Sequence, residues 1–346
     1  MAGYLGLYFG GIWSYGSIYV AFLILPLLEL ILPTSEENHA PEEEEARSRI
    51  QIFDWLLYLN LPILMGAVIF LLINVSSREL TTNELTGMIL NVGLMIGTVG
   101  INVGHELGHR SRKYEQWIAQ ALLLMGLYMH FFIEHNRGHH RHVATPQDPA
   151  TSRKNQTIYT FWIRSTTMSW WHAWKLEKER LAKIGHSLLS WQNQMLRFQL
   201  IQLAYLTTIF LVFGFTGLWV AVAAAVFGIL MLESVNYIEH YGLLRRKNER
   251  GRYEQVLPIH SWNSNHELGR IFLYELTRHS DHHFRATRKY QVLRAFRDSP
   301  QLPAGYPACM ILALFPPLWF AIMNPRVDGF NQQVDSMRQV AVPQVG

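Results

Sequence analysis

Cysteine is nearly absent: Cys309 is the only one in 346 residues. A single thiol excludes an internal disulfide framework and any four-cysteine iron–sulfur or zinc module built from this chain alone. An electron-carrying cluster, if the chemistry needs one, therefore sits on another protein. Charge is scarce too, 16% of residues against 49% hydrophobic. It is also segregated, with no Lys, Arg, Asp or Glu in residues 87–104, 116–133 or 198–232. Uncharged runs of that length exclude an ordinary water-exposed surface and read as membrane helices. No Lys or Arg precedes Arg47, so the first apolar stretch lacks the positive start of a secretory signal peptide. The net charge is only +4. The basic residues sit beside histidine clusters instead of in a repeated pattern, which argues against nucleic acid as a partner.

The apolar runs predict an all-α, polytopic integral membrane bundle of about five to six crossings, forming one catalytic domain over 1–346. Transmembrane helices are expected at about 4–32, 55–75, 87–104, 198–216 and 217–235, the last two joined as a hairpin by the turn residues GFTG at Gly214–Gly217. Between the first two, TSEENHAPEEEEARSR reads as a solvated linker. Basic segments RSRK, RRKNERGR and RATRKY each follow histidines. The positive-inside rule then puts those histidines on the cytoplasmic side and the first residues outside. A crossing at 116–133 would separate His105 from His135 by the whole membrane. That segment is expected to re-enter or to lie along the boundary instead. Residues 134–197 and 236–305 form a histidine-rich cytoplasmic cap, and 306–323, interrupted by Pro316 and Pro317, an interfacial segment.

Nine of the 16 histidines cluster: His105 and His109; His135, His139 and His140; His240; His279, His282 and His283. Neutral imidazole is the commonest nitrogen donor to metals, and spacings of three and four place donors on one helical face. His105-Glu106-Leu107-Gly108-His109 is a literal HExxH zinc-protease signature. That role would leave most of the clustered histidines unused. A metal transporter or sensor would carry histidines within its spans, whereas these lie at span ends. Nine nitrogen donors exceed one tetrahedral zinc and suit two metals of higher coordination with a position left for oxygen or water. Iron is favoured because zinc cannot change oxidation state. Such a pair at a membrane boundary points to dioxygen activation against a lipid-like substrate. His39, His130, His172 and His186 lack partners at ligand spacing and read as surface or packing residues.

The segments HELGHR, EHNRGHHRHVATPQDPATSR, NYIEHYGLLRRK and RHSDHHFRATRKYQ, with HSWNSNH at 260–266, resemble the histidine boxes of the membrane-bound alkane 1-monooxygenases, which are non-haem diiron alkane ω-hydroxylases. The resemblance runs from about Asn102 to Pro307. Bare histidine spacings are shared with membrane fatty-acid desaturases and hydroxylases, so a fatty-acyl desaturase or hydroxylase is the alternative. Arg110 stands where the family usually has Lys, Thr277 where it has Gln, and five crossings are counted where it has six.

The resemblance implies a desaturase-like fold in which all nine histidines bind two iron ions, with dioxygen as cosubstrate. Glu106, Glu134, Asp148, Glu239 and Asp281 lie beside the ligands. They would fix imidazole tautomers or bind metal directly, and both roles stay open. Asn236, one turn before His240, is placed to hydrogen-bond a water at the metals. His142, His260 and His266 share the motifs and are assigned either supporting or packing roles. The implied reaction removes a hydrogen atom from a terminal methyl and returns hydroxyl, giving a 1-alkanol. Ala21, Phe22, Trp55, Tyr58, Leu123, Leu127 and Met231 are named as lining a channel for the n-alkane, or as ordinary packing. Electrons would come from a rubredoxin, served by an NADH-dependent rubredoxin reductase. Arg245, Arg246, Lys247, Arg285, Arg288 and Lys289 would steer that acidic donor, or serve topology and anionic lipid instead. The expected location is the inner membrane, with the site facing the cytoplasm.

Overall fold

A computed structural model describes the backbone of residues 1–341 and the side chains of residues 1–336; the last residues of the expected 1–346 domain, 342–346, lie outside it. The architecture is all-helical, and nothing longer than an isolated β-bridge forms among the described residues. In chain order the helices are α1 (Ala2–Phe9), α2 (Gly11–Glu29), α3 (Pro41–Ser48), α4 (Ile52–Ser77), α5 (Thr82–Gly108), α6 (Lys113–Met125), α7 (131–142) and α8 (Ile158–Lys183). They are followed by α9 (Gln194–Glu239), α10 (Glu267–Phe272), α11 (His279–Phe284), α12 (Tyr306–Ala313) and α13 (Pro316–Ala341). Of these, α2, α4, α5 and α9 are long and apolar enough to cross a membrane. Local signals set their starts. Thr81 and Glu84 close a reciprocal cap on α5, Thr157 caps α8, and Asn193 accepts from Leu196 N at the start of α9.

The expected single span over 4–32 is divided. Gly10 and Gly11 adopt φ of 66° and 54°, conformations that L side chains rarely hold, and the chain reverses there. Asn91 of α5 shows the reversal directly: its Nδ2 donates to Gly3 O at 2.9 Å while its Oδ1 accepts from Ser17 N at 3.0 Å. Helix α1 therefore folds back beside α2 instead of extending it. Helix α9 also reverses, at Gly214, where φ is 67°. A straight helix would hold residues 202 and 233 about 46 Å apart. Yet Gln202 accepts from Met129 N at 3.1 Å and Glu233 accepts from the neighbouring Tyr128 hydroxyl at 2.8 Å. Two antiparallel arms result, each long enough to span.

Helix α6 has 13 residues, about 20 Å, against a hydrocarbon core of about 30 Å. After it Leu127, at φ 53°, turns the chain back, so residues 109 and 135 return to the same place. In the segment expected over 306–323, Pro316 opens a new helix after a turn instead of interrupting one run. Helix α13 then packs Trp319 against Tyr237 and Tyr241 over the end of α9.

Small residues bring α5 against the second arm of α9. A Cβ on Gly93 would meet Ala224 O at 2.7 Å, one on Gly97 would meet Gly228 O at 3.0 Å, and one on Gly228 would meet Gly93 O at 2.9 Å. Two four-residue repeats of small residues thus face each other, as in close membrane-helix packing. The contact sets the separation of His105 and His240, which end those helices. Gly228→Ala should destabilise by about 1–3 kcal/mol through overpacking, read as a lower unfolding midpoint in micelles. Gly329→Ala, with nothing within 4 Å of the new Cβ, should leave the midpoint unchanged or raise it, because Ala is the better helix former.

Candidate metal centre

Four elements deliver the nine histidines, and the structure sorts them into two groups. His105, His109, His135, His140 and His282 form one; His139, His240, His279 and His283 form the other; within each, the donor atoms lie within 4.8 Å of one another. His105 and His109 share a group because four residues of α-helix return to one face. His279 and His283 do so on α11, leaving His282 to face the other way. Box two behaves differently. Residues His135–His139 form a π turn, whose i→i+5 hydrogen bonds stack residues five apart. His135 therefore pairs with His140, at 3.0 Å between Nε2 atoms, and the i,i+4 neighbour His139 goes to the second group.

Every one of the nine presents Nε2. In the first group His105 and His282 lie 2.7 Å apart, His109 and His135 3.1 Å, and His140 and His282 3.1 Å. In the second, His139 and His283 are 3.2 Å apart, His240 and His279 3.2 Å, and His279 and His283 2.8 Å. A metal–imidazole bond of about 2.1 Å sets donors at right angles about 3.0 Å apart. Both groups therefore have the edge lengths of a metal coordination polyhedron, and their all-imidazole donors suit non-haem iron.

Electrostatics keep the donors available. Burial pushes His109 down to about 3, and burial together with neighbouring imidazoles holds His135, His140, His279, His282 and His283 well below the ordinary histidine value. Their rings are neutral at neutral pH, with lone pairs free to bind. His139 is the exception. Burial opposes its charge, but Asp148, 2.9 Å from Nδ1, outweighs it and raises the pKa; Asp148 is itself held down to about 2 despite burial. That carboxylate fixes the proton on Nδ1 and turns Nε2 to the metal position.

The other acidic residues separate into distinct environments. Glu239 places Oε2 3.2 Å from His279 Nε2, on the donor side, while its Oε1 accepts from the Tyr306 hydroxyl at 2.8 Å. Glu134 accepts from His172 Nδ1 at 3.0 Å, and burial raises its pKa against the pull of that imidazole. His172 is thus tied to the centre and is not the surface or packing residue expected. Its helix, α8, carries no second histidine at ligand spacing to signal this. Glu106 and Asp281 face arginines instead of imidazoles. Glu106 accepts from Arg110 at 2.7 Å and Tyr290 N at 3.2 Å, and Asp281 from Arg288 at 2.7 Å and Arg294 N at 2.8 Å. Asn236 is buried on the last turns of α9. His260 and Glu254 pair at 3.2 Å, and His266 bonds Ser264 at 2.9 Å, so both belong to the loop between α9 and α11. His142 lies beside His172, ring centres 6.0 Å apart.

A cavity of about 540 Å³ runs from Met95 and Gly3 to Asn102, Val235, Leu276 and Tyr306. Of its inner residues, Asn102, Val235 and Leu276 lie about one helical turn from a histidine box, and most of its lining is apolar. Of the residues expected to line a channel, Ala21, Phe22 and Met231 line this cavity. The other four do not. Trp55 projects outward, 57% exposed; Tyr58 bonds Glu115 at 2.7 Å; Leu123 packs on Gly104; Leu127 occupies the turn after α6.

The basic residues expected to steer a donor are largely engaged. Arg246 pairs with Asp335, Arg288 with Asp281, and Lys289 with Asp54. Arg245 bonds the carbonyls of Arg141 and Glu254. Lys247 and Arg285 lie over Tyr253 and Phe284, without a carboxylate at ion-pair distance among the described residues. Asp148→Asn keeps the shape beside His139 and removes the charge. It should weaken metal retention at the four-histidine group about 10–100-fold, measured as metal content after graded chelator challenge, while the five-histidine group keeps its ion.

Residues 85–313 match the family profile described as fatty acid desaturase. Alkane 1-monooxygenase 2 of Pseudomonas aeruginosa is 40% identical over 323 residues, covering 92% of this chain and 85% of that protein. Alkane 1-monooxygenase of Ectopseudomonas oleovorans is 40% identical over 330 residues, covering 93% and 82%. The xylene/toluene monooxygenase hydroxylase component XylM of Pseudomonas putida is 30% identical over 336 residues, covering 96% and 87%.

Proposed function

The chain belongs to the alkane 1-monooxygenases of the fatty acid desaturase family, and from that membership we propose that its two histidine groups hold two iron ions and hydroxylate the terminal carbon of straight-chain alkanes with electrons from reduced rubredoxin. The observation that carries this reading is the junction of the cavity with the centre. Tyr306 lines the cavity and donates to Glu239, whose other oxygen reaches His279. Bound iron supplies the redox change that dioxygen activation and attack on a strong primary C–H bond require.

The chain's own residues supply selectivity. An apolar passage admits a straight hydrocarbon end-on, so its methyl group is the part that reaches the centre. The polar groups near the inner end, Asn102 and Tyr306, are few. A fatty-acyl thioester would have to bring a large polar head to the other end, where the side chains of Met1, Leu94 and Met95 are apolar and the polar groups are the Ser17 hydroxyl and the Met1 amino group. This favours a plain alkane over the fatty-acyl alternative. In the proposed topology α2, α4, α5 and both arms of α9 cross the inner membrane, giving five crossings, with the histidines toward the cytoplasm where a soluble donor reaches them. Arg285 and Lys247 are the basic side chains left to meet that donor.

Iron-loaded protein supplied with rubredoxin, its reductase, NADH and n-alkanes should yield 1-alkanols. Unsaturated products from acyl lipids, with no alkanol formed, would overturn the proposal.

A further inference from the structure

Behind the first histidine group lies a polar cleft that the proposed reaction does not use. Arg137 sits between His135 and His139 in sequence, yet its guanidinium turns away from them. Nη1 donates to Glu177 Oε2 at 3.0 Å and Nη2 to Gln194 Oε1 at 3.1 Å. Arg180 donates to the two Glu177 oxygens at 2.9 and 2.6 Å and to Gln192 O at 2.6 Å. Arg197, in the first turn of α9, brings a third guanidinium. Its Nε is buried and has no hydrogen-bond partner among the described residues. With Trp191 and Gln192 these residues line a cleft of about 440 Å³. Three arginines line the cleft, and Glu177, which pairs with Arg137 and Arg180, is the one carboxylate at ion-pair distance from them among the described residues, leaving an excess of two positive charges. The positive end of the α9 macrodipole adds to that field.

The cleft stands at a membrane boundary, because Gln194 opens an apolar arm long enough to span. On one side, the loop after α8 exposes Ile184, Leu188, Leu189 and Trp191, with Leu189 88% exposed. On the other, starting one turn beyond Arg197, Leu200, Ile201 and Leu203 point outward, Leu203 at 61%. Cationic cleft and apolar stripe together match the two halves of an amphiphile. A soluble acidic protein would have no use for the stripe.

We propose that this cleft binds the phosphate of an anionic phospholipid, with the acyl chains lying along the first arm of α9. Guanidinium groups suit phosphate through paired, charge-assisted hydrogen bonds, and basic pockets between membrane helices take lipid head groups in this way. The ligand would also act on the centre, since Arg137 ties the π turn carrying His135 and His139 to Glu177 and α9. The proposal rests on the membrane reading above but not on the hydroxylation.

The test is native mass spectrometry of the metal-loaded full chain in micelles titrated with phosphatidylglycerol or phosphatidylcholine. Phosphatidylglycerol should be retained in preference and should raise the unfolding midpoint of the unaltered chain. Arg197→Gln should weaken its retention about fivefold, the contribution of one arginine near an anionic head group. Arg197→Lys should keep most of it, and Arg153→Gln, which removes an exposed charge elsewhere, all of it. Equal retention of the two lipids, or an Arg197→Gln protein that binds as the parent does, overturns the proposal. So does displacement by inorganic phosphate at equal concentration, which would make the ligand a free anion. A raised KM for the reduced donor with lipid retention intact would identify a protein-docking site instead. Retention is measured without turnover, so loss of hydroxylation in a separate assay bears on the reaction alone.

Discussion

Nine imidazoles must meet in a buried pocket where the long helices end, and the rest of the structure follows from that requirement. Buried nitrogen lone pairs without partners are costly, so the arrangement is sustained by whatever the Nε2 atoms bind. Their separations, 2.7–3.2 Å, are those of donors around a common ion. A metal bound to these donors would couple to folding, because segments from α5, α7, α9 and α11 come together where their histidines do. The glycine-lined contact of α5 with α9 is the scaffold for this. It places the ends of two long helices, and so His105 and His240, at a fixed distance, and the shorter helices close over them.

Around the donors, polar groups divide the labour. Asp148 orients His139, the Tyr306–Glu239 pair reaches His279 from the cavity side, and His172 holds Glu134. Glu106 and Asp281, equally close in sequence to histidines, are taken by Arg110 and Arg288. These ion pairs belong to a network linking α4, α5 and the loop after α11, since Arg110 also approaches Asp54 at 3.4 Å and Lys289 binds it at 2.9 Å. Basic residues that look available in sequence are thus largely structural, and Arg197, whose Nε has no hydrogen-bond partner among the described residues, lies where no histidine motif marks it.

Much of this was legible in the amino-acid order because periodic patterns carry it. The charge-free runs marked the long helices, GFTG marked the reversal of α9, and the need for His105 and His135 to meet ruled out a crossing between them. What stayed hidden depends on backbone choices that residue type alone does not dictate. YFGGIW reads as a continuing apolar helix until Gly10 and Gly11 take positive φ. The π turn over His135–His139 cannot be told from an α turn by spacing, so the partition of His139 from His135 was not readable. His172 and Glu134 are 38 residues apart and meet only because α8 packs across α7. Trp55 and Leu123 occupy apolar runs as plausible for a channel as Ala21, and only helix rotation separates lipid face, core and cavity wall.

The cavity and the centre have meaning for catalysis only if two redox-active ions sit at the two histidine groups. Iron content per chain together with iron-edge X-ray absorption of the purified protein tests this most directly. The account predicts two irons per chain, surrounded by nitrogen and oxygen neighbours at about 2.1 Å and by no sulfur. A single zinc bound through the HExxH segment, with the remaining histidines unmetallated, would contradict it.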